Sequence, residues 1–198
     1  MADERKSNKA QHGINNEALE YLKQKYNDEF EYVSPWGSSY TTPGMRQIIV
    51  ECGSLPGKEI LVVINGNGVS TVYRDNFMDF FYEARTSDFV KKAAQRFFDN
   101  FSVTINIIRA PSAVGVSPST GFEDYILNKG QIIDAHIVVN KSNEKTLQEF
   151  LNDLVRLGVH FSFDVDIVSN NECYTAQFFY SDSEVFLERR EFHCANHD

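Results

Sequence analysis

Three cysteines, one tryptophan and five prolines are few for a chain of 198 residues, and each scarcity excludes something. Cys52, Cys173 and Cys194 form an odd set at spacings that suit neither a disulfide framework nor a zinc ribbon, so they are expected to be reduced thiols. No run reaches the roughly 20 apolar residues that cross a bilayer, and the first residues lack the basic-then-apolar pattern of a signal peptide. Membrane insertion is therefore not expected. The chain reads as cytoplasmic as it stands, or as cell-surface or secreted if a leader has been removed. Positive charge is also short. Lys and Arg number 19 against 28 Asp and Glu, a net charge of -9, and no basic cluster offers a phosphate backbone a footprint, so nucleic acid is not an expected partner. The glycines of Asn65-Gly-Asn-Gly68 lack the Lys-Ser/Thr and the helix of a phosphate cradle and suit a hairpin turn instead. No Gly-x-Ser-x-Gly elbow accompanies the serines of residues 109–121.

Apolar residues are plentiful, at 42% of the chain with 16 Phe and 9 Tyr, enough for an ordinary core. The clearest stretch runs from Gln131 to Val168. Ile133, Ala135, Ile137 and Val139 alternate with Asp134 and His136, the period of a strand with one buried face. Leu147, Phe150, Leu151 and Leu154 then make one helical stripe, with Ser142 or Asn143 as cap and Gly158 placed to end it. Val159 to Val168 alternates again, setting Phe161, Phe163, Val165 and Ile167 against His160, Ser162, Asp164 and Asp166. Strand, helix and strand imply a helix laid on one face of a sheet, with a right-handed crossover if the strands are parallel.

Around this unit the spacing predicts a polar tail over 1–13, a helix over 17–26 and a strand over 29–33. A meander follows at 46–52, 58–64 and 69–74. A helical segment from Asp75 or Asn76 is expected to carry an aromatic face of Phe77, Phe80, Phe81 and Ala84, and at Thr86-Ser87-Asp88 either to kink or to give way to a second helix capped by Ser87. A strand comes at 101–108, then a Pro/Gly-rich stretch over 109–121 that suits a linker or surface loop. A short helix near 122–128 and two strands after Val168 complete the chain. The last strand, with Glu188, Arg189, Arg190 and Glu191, suits a guarded sheet edge. The expected fold class is α+β, a mostly antiparallel sheet with helices packed on one face. It is built either as one domain or as two lobes, 14–108 and 122–198.

Two groups of residues stand out chemically. Asp134, His136, His160, Asp164 and Asp166 fall opposite the apolar sets. If the two strands lie close, imidazoles and carboxylates converge there as they do in metal sites and acid/base pairs. The same pattern also describes the wet face of a two-layer sheet. The second group is Trp36 and Tyr40, aromatic residues in the turn-rich Ser34–Gly44, a candidate binding lip. His193, Cys194 and His197 offer metal-ligand types, but at a terminus where no element preorganises them.

The opening Ala18-Leu-Glu-Tyr-Leu-Lys-Gln-Lys-Tyr26, followed by Phe30-Glu-Tyr-Val33, resembles the helix-then-strand start of small uncharacterised proteins from Gram-positive gut bacteria, some of them surface-attached. That resemblance covers about the first 35 residues and implies no catalytic residue and no cofactor. With no specific catalytic signature in the chain, the expected function is a non-enzymatic binding or protein-interaction module. Trp36 and Tyr40 would then touch a protein or small-molecule partner, and a homodimer is compatible with the pattern. The alternative is a metal-dependent hydrolase built on Asp134, His136, His160 and Asp164, with Asp166 as a further ligand.

Overall fold

Most of the chain's apolar spacing resolves into helices and two sheets in a computed structural model that describes residues 15–36, 45–66, 70–107, 116–127, 131–140, 142, 144–168, 173–181 and 184–192. By contacts the chain divides into two units. The first takes the described residues of Met1–Phe81 and Arg109–Thr120, and the second those of Tyr82–Ile108 and Gly121–Asp198.

In the first unit, helix α1 (15–26) buries Ala18, Leu22 and Tyr26 along one side. It stops at Asn27, whose φ of 53° takes the backbone into the left-handed region that Asn tolerates, while its N–H still reaches the Lys23 carbonyl at 2.8 Å. Four strands follow in the spatial order in which they occur, all antiparallel: β1 (Phe30–Pro35), β2 (Met45–Cys52), β3 (Ile60–Gly66) and β4 (Thr71–Asp75). The expected meander is present, although residues 67–69 of its Asn-Gly turn lie outside the described set. Central position explains the unbroken apolar runs: Ile48, Ile49 and Val50 on β2 and Ile60, Leu61 and Val62 on β3 are all buried. Edge position explains β1, which carries a register shift between Tyr32 and Ser34 and ends on Pro35, a residue that cannot donate to a ladder.

A buried carboxylate joins α1 to the end of β4. The Asp75 side chain is fully buried. It accepts the Tyr26 hydroxyl at 2.5 Å, the Lys25 ammonium at 2.9 Å and the Phe77 N–H at 3.2 Å. Every donor compensates part of the cost of removing that charge from water. Lys25 also lies over the rings of Tyr21 and Tyr26, and the Tyr26 ring stacks on Phe77 at 4.0 Å. Burial, and then the Asp75 charge, push the Tyr26 phenol far above its ordinary range, so it remains a donor. The adjacent Asn76 does not cap the next helix with its side chain. Its Oδ1 accepts the Leu61 N–H at 2.8 Å, extending the sheet contact by one residue.

The helix that starts here, α2 (Phe77–Ala94), continues past Ser87, so no second helix starts at that residue. Its buried residues are Phe77, Met78, Tyr82, Thr86, Val90, Ala93 and Ala94. Thr86 holds the phase where a search for apolar residues loses it. Phe81, expected on the inward face, is 50% exposed.

The second unit has a five-stranded sheet. Its elements are β5 (Phe101–Asn106), α3 (Phe122–Ile126), β6 (Ile133–Asn140), α4 (Glu144–Arg156), β7 (Phe161–Val168), β8 (Cys173–Ser181) and β9 (Glu184–Phe192). The strands lie in the order β5-β6-β7-β8-β9. Only β6 and β7 are parallel, joined as neighbours through α4. The stripe Leu147, Phe150, Leu151 and Leu154 is buried throughout, and the Phe150 ring meets Phe163 of β7 together with Phe97 and Phe98 from the segment after α2. Gly158 ends α4 at φ +74°. Its N–H bonds the Val155 carbonyl and the Val159 N–H bonds the Leu154 carbonyl, the paired closure that a glycine in the left-handed region permits. The chain is thus α+β with mostly antiparallel strands.

Two substitutions test this packing by urea unfolding. Phe150→Ala should cost about 3–5 kcal/mol as a core cavity opens. Tyr26→Phe, which removes one donor from a buried carboxylate, should cost about 1–3 kcal/mol while the fold is kept.

Candidate functional site

The parallel pairing of β6 with β7 brings the expected polar residues together. In register, Asp134 stands beside Ser162 and His136 beside Asp164. The alternate residues Ile133, Ala135, Ile137, Val139, Phe161, Phe163, Val165 and Ile167 are all buried, whereas Asp134, His136, Ser162, Asp164 and Asp166 are half-exposed. One face of the sheet is therefore core and the other meets water.

On that outer face the polar groups bond to one another across four strands. The His136 Nε2 lies 2.8 Å from Asp166 Oδ2, a diagonal contact rather than one to its register neighbour Asp164. Against an ionised carboxylate this nitrogen is the donor, which leaves Nδ1 as the acceptor of the neutral ring. Asp166 Oδ1 accepts the Thr175 hydroxyl of β8 at 2.6 Å, and Asp164 Oδ1 accepts the Gln177 amide of the same strand at 2.6 Å. At the other side, Asn106 Nδ2 of β5 donates to Asp134 Oδ1 at 2.7 Å. Burial raises the Asp134 carboxyl above the usual carboxylate range. The Asn106 hydrogen bond opposes that shift and the negative charge of Asp164 adds to it.

His160 stands apart from this lattice. It precedes β7, is 7% exposed, and its Nδ1 is buried without a hydrogen-bond partner. Its ring meets Tyr180 edge-on at 5.5 Å, and its carbonyl accepts the Ile133 N–H at 3.0 Å. Among the described residues no group of three or more His, Cys, Asp or Glu side chains is placed to hold a metal ion. Asp134, His136, Asp164 and Asp166 share one face, then, but do not converge with His160 on a common point.

Trp36 directly follows β1, where its N–H continues the pairing with β2 through the Gln47 carbonyl at 2.9 Å, and its side chain is half-buried. Tyr40 lies outside the described residues, as do His193, Cys194 and His197. Cys52 is a buried free thiol, raised in pKa chiefly by burial, with Ser54 Oγ at 3.6 Å. Asn106, Thr175 and Gln177 are the outer-face residues that reading by motif misses. Their signal is cross-strand, because each becomes a neighbour of a carboxylate only once the strand order is known.

No family model matches the chain, and no curated protein matches it. Among solved structures, the crystal structure of a DUF5037 family protein from Ruminococcus gnavus aligns over 79% of this chain and 75% of that chain, at 13% identity and a TM-score of 0.42. A likeness of that degree carries no argument about function. Among the described residues no helix is long and apolar enough to cross a membrane.

The raised pKa of Asp134 gives a prediction with a definite sign. A carboxyl that is harder to ionise in the folded state favours folding while protonated, and that contribution is lost as the pH rises from below the ordinary carboxylate range through the raised value. Asp134→Asn should therefore raise the melting temperature at neutral pH, and its advantage should shrink in acid below that range. Thermal unfolding across pH reads this, and an equal shift at every pH would remove the titration of Asp134 as its cause.

Proposed function

We propose that this protein is a non-enzymatic binding module whose recognition surface is the outer face of β6, β7 and β8. The observation that supports this is the lattice itself. His136, Asp166 and Thr175 are bonded in series, and Asp164 and Asp134 are each held by a side-chain amide. Side chains already locked by neighbours lose little freedom when a ligand arrives, which favours recognition. The remaining lone pairs of three carboxylates favour a partner rich in cationic or amide donors, in keeping with a net charge of -9.

This reading is preferred to a metal-dependent hydrolase on Asp134, His136, His160 and Asp164 because the buried His160 is bonded to none of the other three. Trp36 remains a second candidate contact within the same reading, on the other unit of the chain.

A hexalysine peptide titrated into labelled protein distinguishes these surfaces. Amide shifts should cluster in 133–140, 161–168 and 173–181. Asp164→Asn combined with Asp166→Asn should weaken binding by about tenfold. Trp36 is the chain's single tryptophan, so a change in indole emission during the same titration would assign the contact to the Trp36 loop instead. Peptide binding that moves neither set of signals would sink both assignments.

A further inference from the structure

The two sheets end in four edges, β1 and β4 in the first and β5 and β9 in the second. Natural proteins guard such edges against pairing with another chain by charge, proline, bulges or shortness. Three of these edges are guarded. Strand β1 has its register shift and Pro35, β4 is five residues long and carries the exposed Arg74, and β9 contains Glu184, Glu188, Arg189, Arg190 and Glu191. Strand β5, Phe101-Ser-Val-Thr-Ile-Asn106, has no charge, no proline, no glycine and an unshifted register with β6. Among the described residues it hydrogen-bonds as a strand to β6 alone. Ser102, Thr104 and Asn106 are exposed on the outer face, and Phe101 and Ile105 on the core side are only half-buried.

We infer that β5 is a dimerisation edge, pairing antiparallel with β5 of a second copy of this chain. The register is constrained. A two-fold axis perpendicular to the sheet keeps core faces together only if paired residue numbers share the same parity, because side chains alternate along each strand. An axis through Thr104 sets Thr104 opposite its own copy, Ser102 opposite Asn106, and Val103 opposite Ile105. Polar then meets polar on the outer face and β-branched meets β-branched over the core, with no charge brought to the seam. This self-match selects a second copy over a foreign peptide, since an uncharged strand offers a foreign peptide no electrostatic means of selection. Five residue pairs bury little surface, so the dimer is concentration-dependent. Each copy has a net charge of -9, so added salt should tighten it by screening their repulsion. The inference stands independently of the binding reading above.

Sedimentation velocity over a concentration series tests it. The wild-type chain should shift from its 22.6 kDa mass towards twice that mass, more readily at higher salt, with amides of 102–106 gaining hydrogen-exchange protection as it does so. Thr104→Lys, which puts two ammonium groups directly opposite, should raise the dissociation constant by about tenfold, and Thr104→Val should leave it near the wild-type value. Ser102→Lys provides a second variant if Thr104→Lys fails to fold, and Thr71→Lys on the β4 edge should have no effect. A wild-type chain that stays at a single chain's mass throughout overturns the inference. So does a dimer that neither β5 lysine weakens, or one that Thr71→Lys dissociates.

Discussion

The second unit depends on the burial of Phe150. Its ring sits among Phe97, Phe98 and Phe163, and a side chain of that size in contact with three aromatic neighbours holds α4 on one face of the β6–β7 pair. Because the apolar stripe of α4 is satisfied there, β6 and β7 can expose their other faces, and strict alternation sends every second residue to that side. The hydrogen-bonded carboxylates are in this sense a by-product of the packing beneath them. Moving β6 by one residue would exchange its two faces and bury Asp134 and His136 under α4, and moving β7 would bury Asp164 and Asp166.

The first unit answers a different constraint. Its two central strands are apolar in runs rather than in alternation, and among its described residues one charge, that of Asp75, is deeply buried, at the corner between β4 and α2. A carboxylate with no exposed side-chain surface must be met by donors from somewhere. Here one comes from the backbone of α2 and two come from α1, so a helix that the sheet alone would hold only by Ala18, Leu22 and Tyr26 is also held electrostatically.

How far the residues announced this differs by region. The alternation of Phe161 to Ile167, the stripe of Leu147 to Leu154 and the stop at Gly158 were legible because each is a local pattern, complete within a few residues. The meander was legible for the same reason. The continuity of α2 was not, since the position that preserves its phase is a threonine. The role of Asp75 was hidden too, because Lys25 and Tyr26 lie 50 and 49 residues away along the chain. On the outer sheet face, the co-location of Asp134, His136, Asp164 and Asp166 followed from alternation in two strands. The partners that hold them, Asn106, Thr175 and Gln177, required the strand order, and the choice of Asp166 over Asp164 by His136 required side-chain geometry. The exclusion of His160 came from its position just ahead of β7, where the pleat no longer dictates which way a side chain faces.

The separation of Tyr26 from Asp75 bears on the order in which the first unit assembles. Closing a loop of that length costs entropy before any contact rewards it, whereas β2, β3 and β4 join through short connections. The meander can therefore form ahead of α1, leaving Asp75 hydrated at an open corner until the helix docks and its hydroxyl and ammonium replace the water. What docks last releases first. Fluctuations of the native state should then start at the N-terminal helix, and its departure would return a carboxylate to solvent without disturbing the strands behind it.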